Sequence, residues 1–189
     1  MRRSETDSRL RVPVAAVLLF LVAAPVGAAA SVLTLRAVRA GNTIVASVAL
    51  RWDSADELVR SLLDGMESRI VFTVRLYQER SGILSLSGDR LLGQAVVIRR
   101  AYRDILTEQF IVAEDGAGAV AFDAAADLLA GFLTVPALSF PAPSPGARGI
   151  YVVARAELQP VLLMPPLTLV TLVGTAAAFV TPWQRSDVQ

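Results

Sequence analysis

An alternation of apolar and polar residues from Ile70 to Glu79 is the strongest constraint on the fold of this chain. From Ile70 to Leu76 one side of the segment is apolar, and the other side carries polar or amphipathic residues from Thr73 onward. The apolar side consists of Ile70, Phe72, Val74 and Leu76, and the opposite side includes Thr73, Arg75 and Tyr77. Because a strand turns successive side chains to opposite faces, the segment predicts a strand in a sheet that covers a core.

Other segments predict further strands around it. Val32–Val38 and Thr43–Leu50 predict a hairpin around an Ala-Gly-Asn turn. Later strands are predicted at Gln94–Asp104, Thr107–Ala113 and Ile150–Leu158. Short connections between consecutive strands favour antiparallel pairing.

Two short helices complete the predicted fold. Ser54 and Glu57 form a capping box ahead of apolar residues at helical spacing, and Asp123 is predicted to cap the second helix. Glu114–Gly118 is predicted as a flexible turn, and Thr134–Gly149, which contains several prolines, as an extended loop. The pattern predicts an α+β fold, with a mostly antiparallel sheet and two short helices.

Residues 1–30 have the composition of a secretory signal peptide or an N-terminal membrane anchor. Arginines precede an uncharged stretch from Val12 to Ala30, and small residues fit a cleavage site before Ser31. The uncharged stretch is nearly long enough to span a bilayer, so cleaved signal and retained anchor both stay open. Either one predicts that residues 31–160 form a periplasmic or otherwise extracytoplasmic α+β domain.

The C-terminal segment, residues 161–189, is strongly apolar. No charged residue occurs from Val161 to Thr181, and Trp183 follows. A helix of about 20 apolar residues spans a bilayer, but Pro165 and Pro166 interrupt this run. The segment is predicted to be either a buried element or interfacial hairpin, or a transmembrane helix.

Three residue types are missing, and their absence limits the chemistry. The chain has no His and no Cys, and all its basic residues are Arg. Thiol nucleophiles, Ser-His-Asp triads, lysine Schiff bases and the usual zinc, copper and haem sites are therefore excluded. Carboxylate chemistry and oxygen-ligated metals stay open. We expect no cofactor and no catalytic or metal-binding residue.

The charge balance gives no reason to expect nucleic-acid binding. Removing residues 1–30 takes away four Arg and two acidic residues, which changes the net charge from +1 to −1. A nucleic-acid-binding domain of this size is usually strongly basic.

Arginines and tyrosines on the predicted strands form the leading candidate surface. They are Arg75, Arg99 or its neighbour Arg100, Arg103, Arg155, Tyr77, Tyr102 and Tyr151. If the strands align them on one face, they are suited to bind an anionic lipid headgroup, a glycan phosphate or an acidic protein patch. The alternative is a solvated face on which the arginines pair with acidic residues across strands.

Paired carboxylates and two tryptophans are the remaining candidates. The carboxylate groups are Asp104 with Glu108, Asp53 with Asp56 and Glu57, and Glu114 with Asp115. Such pairs perform acid–base chemistry in glycosidases, although helix capping and surface charge explain them equally well. Trp52 and Trp183 are predicted either to anchor a partner or to belong to a core.

Several short segments follow one another in an order and spacing that carry a family resemblance. They are Leu63–Met66 before Ile70–Tyr77; Tyr102–Asp104, Leu106-Thr107 and Phe110–Val112; Phe122 before an Ala/Leu helix; Gly149–Arg155 with Leu158; and Pro165–Leu167 with Trp183. From about Val32 to Trp183 the chain thereby resembles DUF4390, a bacterial exported family of unknown function. The resemblance implies an envelope location and no transferable catalytic or binding residue. The apolar run near the C-terminus departs from the family's pattern.

These observations favour a non-enzymatic envelope module that binds a protein or lipid partner through its sheet surface or its apolar C-terminus. The first alternative is a carboxylate-based hydrolase acting on envelope glycans, which needs two acids facing each other across a pocket. The second is a structural subunit of a membrane assembly, which is favoured if Leu167–Val180 forms a spanning helix.

Overall fold

The computed structural model describes residues 31–80, 82, 88–144, 147–161 and 179–189. Its elements in chain order are β1 (Ser31–Ala40), β2 (Thr43–Trp52), α1 (Ala55–Leu63), β3 (Glu67–Gln78), β4 (Arg90–Arg103), β5 (Phe110–Glu114), β6 (Gly118–Phe122), α2 (Ala125–Leu133), β7 (Thr134–Pro141), β8 (Ile150–Val161), β9 (Phe179–Val180) and β10 (Gln184–Asp187). The predicted α+β class, with mostly antiparallel strands and two helices, is confirmed. The predicted signal or anchor lies outside the described residues.

The first sheet has three antiparallel strands in the order β1-β2-β7. The predicted hairpin of β1 and β2 is confirmed. The predicted loop is wrong for Thr134–Pro141, which forms edge strand β7. Pro136 lies where the register with β2 shifts between Ala46 and Val48. A proline has no N–H to donate, so strands accept it at edges and bulges, and β7 supplies both.

The second sheet has the order β10-β8-β3-β4-β5-β6, and β9 also pairs with β8. All its pairings are antiparallel. Strand β6 begins at Gly118, where only a flexible turn was predicted. Strands β9 and β10 lie in the C-terminal segment and both pair with β8. Of the apolar run that was predicted at Val161–Thr181, residues 162–178 lie outside the described residues.

Both helices occur, but their predicted caps are only partly right. Ser54 occupies the N-cap of α1, yet its hydroxyl makes no capping hydrogen bond. The N-cap of α2 is Ala124, so the prediction of Asp123 is wrong. The Asp123 carboxylate instead accepts a 2.8 Å hydrogen bond from Nε2 of Gln109. Within the described ranges, no helix is long and apolar enough to cross a membrane.

One hydrophobic core fills the space between the sheets and helices. The predicted buried face of β3 is confirmed, since its four apolar residues are at most 1% exposed. The helices add Leu58, Leu62, Leu128 and Phe132, all buried. The same core therefore covers one face of each sheet, and the other face of the seven-stranded sheet remains available for a site.

The last two described residues connect the sheets. The N–H of Val188 donates to the Ile150 carbonyl of β8. Gln189 exchanges hydrogen bonds with β1, donating to the Ala37 carbonyl and accepting from the Arg39 N–H. The C-terminal chain thereby bridges β8 and β1.

Candidate functional site

The register of the seven-stranded sheet places four predicted residues on its outer face. Tyr77 lies opposite Tyr151, and Arg155 lies opposite Thr73. Arg75 is two residues from Tyr77 on β3 and therefore points to the same side. Because the alternate residues of β3 fill the core, these side chains turn away from it.

Arg99 lies on the opposite face, so the prediction that it lines the outer surface is wrong. It pairs with Ile70 of the core face and is 8% exposed. Its guanidinium binds the Glu114 carboxylate at 2.6–2.7 Å. It also donates to the backbone carbonyls of Gly131, at 2.6 Å, and Thr134. Arg99 thus caps the C-terminal turn of α2 and has a structural role.

Arg103 and Tyr102 lie at the end of β4, away from Arg75. Arg103 is four residues from Arg99 on β4 and points to the same face of the strand. Nη2 of Arg103 lies 3.7 Å from the Glu108 carboxylate. Tyr102 turns outward and is 37% exposed. Gln94, which pairs with Arg75, is eight residues from Tyr102, a separation of about 26 Å along a strand. The structure therefore does not bring Tyr102 or Arg103 into one surface with Arg75.

Arg75 and Arg155 instead converge on Trp183, a combination that the sequence did not predict. The Cζ atoms of Arg75 and Arg155 lie 5.0 and 5.8 Å from the centroid of the Trp183 ring. The tryptophan follows β9, and 41% of it is exposed. We call these three residues the Arg–Trp cluster. Such cation–π contacts contribute about 0.5–1 kcal/mol each at exposed sites.

Among the described residues, a carboxylate neutralises only one of the two arginines in the cluster. Nη2 of Arg155 lies 3.3 Å from a carboxylate oxygen of Glu157. Hydrogen bonding from Gln159, together with Arg155, lowers the pKa of Glu157. Nε of Arg75 donates at 3.0 Å to the neutral side-chain amide oxygen of Gln94. Within the described part of the chain, Arg75 has no carboxylate partner, so the cluster retains a positive charge.

Tyr77 and Tyr151 belong to a second group, in which the Tyr151 hydroxyl and the Arg185 guanidinium both have acidic partners. Their rings stack at 5.6 Å, and the Arg185 guanidinium lies 3.8 Å from the Tyr151 centroid. The Tyr151 hydroxyl donates at 2.5 Å to Asp89. Burial, followed by this hydrogen bond, raises the pKa of Tyr151 to about 12, and the same bond lowers the pKa of Asp89. We call these four residues the tyrosine cluster.

Arg185 also ties this cluster to an open pocket of about 440 Å³. The pocket is lined by Arg39, Glu79, Ala147, Arg148, Gly149, Ile150, Arg185, Asp187, Val188 and Gln189. Nη2 of Arg185 binds Glu79 at 2.5 Å and Asp187 at 3.0 Å. One guanidinium nitrogen therefore occupies the space between the two acids, where a glycosidic oxygen would have to lie in a hydrolase.

The carboxylate pairs predicted from the sequence have local roles. The Asp104 carboxylate accepts hydrogen bonds from the backbone of Leu106 and Thr107, and the first of these lowers its pKa. Its predicted partner, Glu108, lies near Arg103.

The other acidic candidates contact arginines or begin a helix. Glu114 binds Arg99, and Asp115 lies 3.9 Å from Arg100. Asp56 and Glu57 lie in the first turn of α1, where negative charge complements the helix dipole.

A metal centre is not evident in the part of the chain that the structure describes, where no cluster of three acidic side chains has a suitable arrangement. Comparison of the chain with protein families, curated proteins and solved structures gave no match. No relative therefore indicates a site, and the Arg–Trp cluster is the candidate site because of its own geometry.

Proposed function

We propose that this chain is an exported, non-enzymatic envelope module whose Arg–Trp cluster binds an acidic segment of a protein partner. The observation that carries the proposal is the Arg75 guanidinium, which lies beside the half-exposed Trp183 without a carboxylate partner among the described residues. Export rests on the leader-like residues 1–30 and on the resemblance to DUF4390, and both stay predictions.

The unused donors of Arg75 suit a carboxylate ligand. Gln94 occupies only Nε, so both terminal nitrogens retain donor capacity. A guanidinium binds a carboxylate through parallel hydrogen bonds, and such charge-assisted bonds are roughly twice as strong as neutral ones. Trp183 adds apolar area next to this charge. Arginine and tryptophan are among the residue types that are enriched where binding energy concentrates in protein interfaces.

Apolar neighbours of the cluster favour a protein partner over an isolated anion. Val153 of β8 pairs with Arg75. Val96 of β4 is 49% exposed and pairs with Thr73, two residues before Arg75 on β3. Val71 and Ile98 continue this partly buried apolar surface across β3 and β4. An acidic peptide with apolar side chains would neutralise Arg75 and cover these residues together.

Site-specific photo-cross-linking in cells tests the proposal. A benzophenone amino acid at Val96 of the full chain should give an adduct with one protein, and Arg75→Glu should abolish it by repelling the acidic ligand. The matched control reverses Arg36, an exposed arginine on β1, and should leave the adduct unchanged. A benzophenone at Val38, on the exposed face of β1, should give no such adduct.

Two outcomes would contradict this function. A protein adduct at Val96 that survives Arg75→Glu would show that the cluster does not carry recognition. Adducts with lipid alone would assign the face to headgroups.

The hydrolase alternative predicts turnover of envelope glycans by Glu79 and Asp187, the acids that share the pocket. Arg185 binds both carboxylates, which favours a structural role for the pair. Release of reducing ends from purified envelope glycan, lost in Glu79→Gln, would support the alternative.

A further inference from the structure

The turn between β4 and β5 exposes two large aliphatic side chains next to each other. Ile105 is 81% exposed and Leu106 is 95% exposed, more than any other large apolar residue of the described ranges. The Asp104 carboxylate accepts the Leu106 N–H at 2.8 Å, and the Asp104 N–H donates at 2.9 Å to the Gln109 carbonyl. Hydrogen bonds inside the turn therefore hold both side chains away from the core.

The register places this turn at the end of the domain where the predicted leader joins it. Ser31, the first described residue, pairs with Trp52. The Trp52 ring lies 5.2 Å from the ring of Phe179. Phe179 in turn pairs with Leu158, near the end of β8. The uncharged stretch that ends at residue 30 therefore enters the domain at this end.

The second apolar stretch of the sequence joins the domain at the same end. Val161 pairs with Glu67, the first residue of β3, and the next residue of β3 pairs with Ala101, just before the β4–β5 turn. The chain thus leaves β8 at Val161 and returns at Phe179. The intervening residues, 162–178, contain no charge.

We propose that this end of the domain rests on a lipid bilayer, with Ile105 and Leu106 inserted into its interfacial region. A lipid surface accounts for three features together: the exposed aliphatic pair and the two attachment points of uncharged chain. Tyr102 and Arg103 immediately precede the turn, and aromatic and basic residues are common at the interfacial depth of a membrane. The Arg–Trp cluster lies farther up the sheet and would face sideways, so this inference goes beyond the proposed function.

The absence of cysteine from the chain permits a direct test of depth. A single cysteine at Leu106 of the full chain is labelled with a polarity-sensitive fluorophore, and the protein is reconstituted into phosphatidylethanolamine–phosphatidylglycerol vesicles. Lipid carrying a nitroxide near the headgroup should quench this label several-fold more than the same label at Asn42. Asn42 lies in the exposed β1–β2 turn at the opposite end. A label at Ile105 provides an independent second position.

Aqueous iodide separates the possible outcomes. Labels at Leu106 and Ile105 that are shielded from iodide and quenched by lipid nitroxide support the inference. Labels that iodide reaches as readily as at Asn42 overturn it, because the turn then faces water. Labels shielded from iodide but untouched by lipid nitroxide also overturn it, because protein would then cover the turn. The cross-linking result at Val96 does not affect this measurement.

Discussion

Replacing Arg99 by methionine tests whether this buried arginine holds α2 onto the seven-stranded sheet. The guanidinium binds the Glu114 carboxylate and the carbonyls of Gly131 and Thr134. Methionine fills a similar volume with apolar atoms but leaves these acceptors without their donor. The substitution isolates the polar function of the side chain from its packing.

The expected loss in the free energy of unfolding follows from the burial of the Arg99 guanidinium and from the number of acceptors that it binds. Hydrogen bonds to charged groups contribute about 1.5–3 kcal/mol each, from which the cost of burying the guanidinium must be subtracted. Removing one partner of a buried ion pair costs about 3–5 kcal/mol. We therefore expect Arg99→Met to lower the free energy of unfolding by about 4 kcal/mol. With a urea dependence of about 2 kcal/mol per M, the unfolding midpoint falls by about 2 M.

Arg100→Met is the matched control, because the neighbouring residue points to the outer face. Its side chain is 50% exposed and lies 3.9 Å from Asp115. Exposed pairs of this kind contribute about 0–1 kcal/mol. Urea unfolding of the full chain, followed by tryptophan fluorescence, measures both variants. If Arg99→Met and Arg100→Met differ by less than about 0.5 kcal/mol, the capping role of Arg99 is refuted.

Two further predictions concern the tyrosine cluster and a glycine turn. The raised pKa of Tyr151 means that the fold favours the protonated phenol. The stability that Tyr151 contributes should therefore be complete below pH 10 and lost as the pH rises through about 12. Asp89→Asn should lower the pKa of Tyr151, which phenolate absorbance measures. Gly149→Ala should lower Tm more than Gly41→Ala, although both positions have φ above +60°. The reason is that only at Gly149 would the new Cβ lie 2.9 Å from Cβ of Glu79. Equal losses of Tm would contradict this reasoning.

The strand periodicity predicted the centre of the fold but not its edges. The alternation in β3 was sufficient to predict which of its faces is buried, because the neighbouring strands β4 and β8 bury the same face of the sheet. Strand β7 was missed because prolines usually end a strand, whereas here one of them lies at a bulge in an edge strand. Strands β9 and β10 are too short to show a period, and their pairing with β8 comes from tertiary structure.

The candidate site depended on which face each arginine occupies, and local sequence did not decide it. Around Arg99 and Arg100 both sides of β4 carry apolar residues, so either arginine fits either face. A shift of one residue exchanges every side chain between faces. Trp183 was considered from its residue type, but its contact with both Arg75 and Arg155 depends on the β8–β10 register.

The bridge that Val188 and Gln189 form between the sheets has a consequence for biogenesis. Since a ribosome delivers these residues after every strand they join, the growing polypeptide at first has β8 with one edge unpaired and lacks the hydrogen bonds that link β8 to β1. Uncovered edges invite pairing with other chains, and contacts between distant parts of a sequence form slowly. A holdase that binds the chain before Val188 and Gln189 have paired would therefore protect this domain when it is most prone to aggregate.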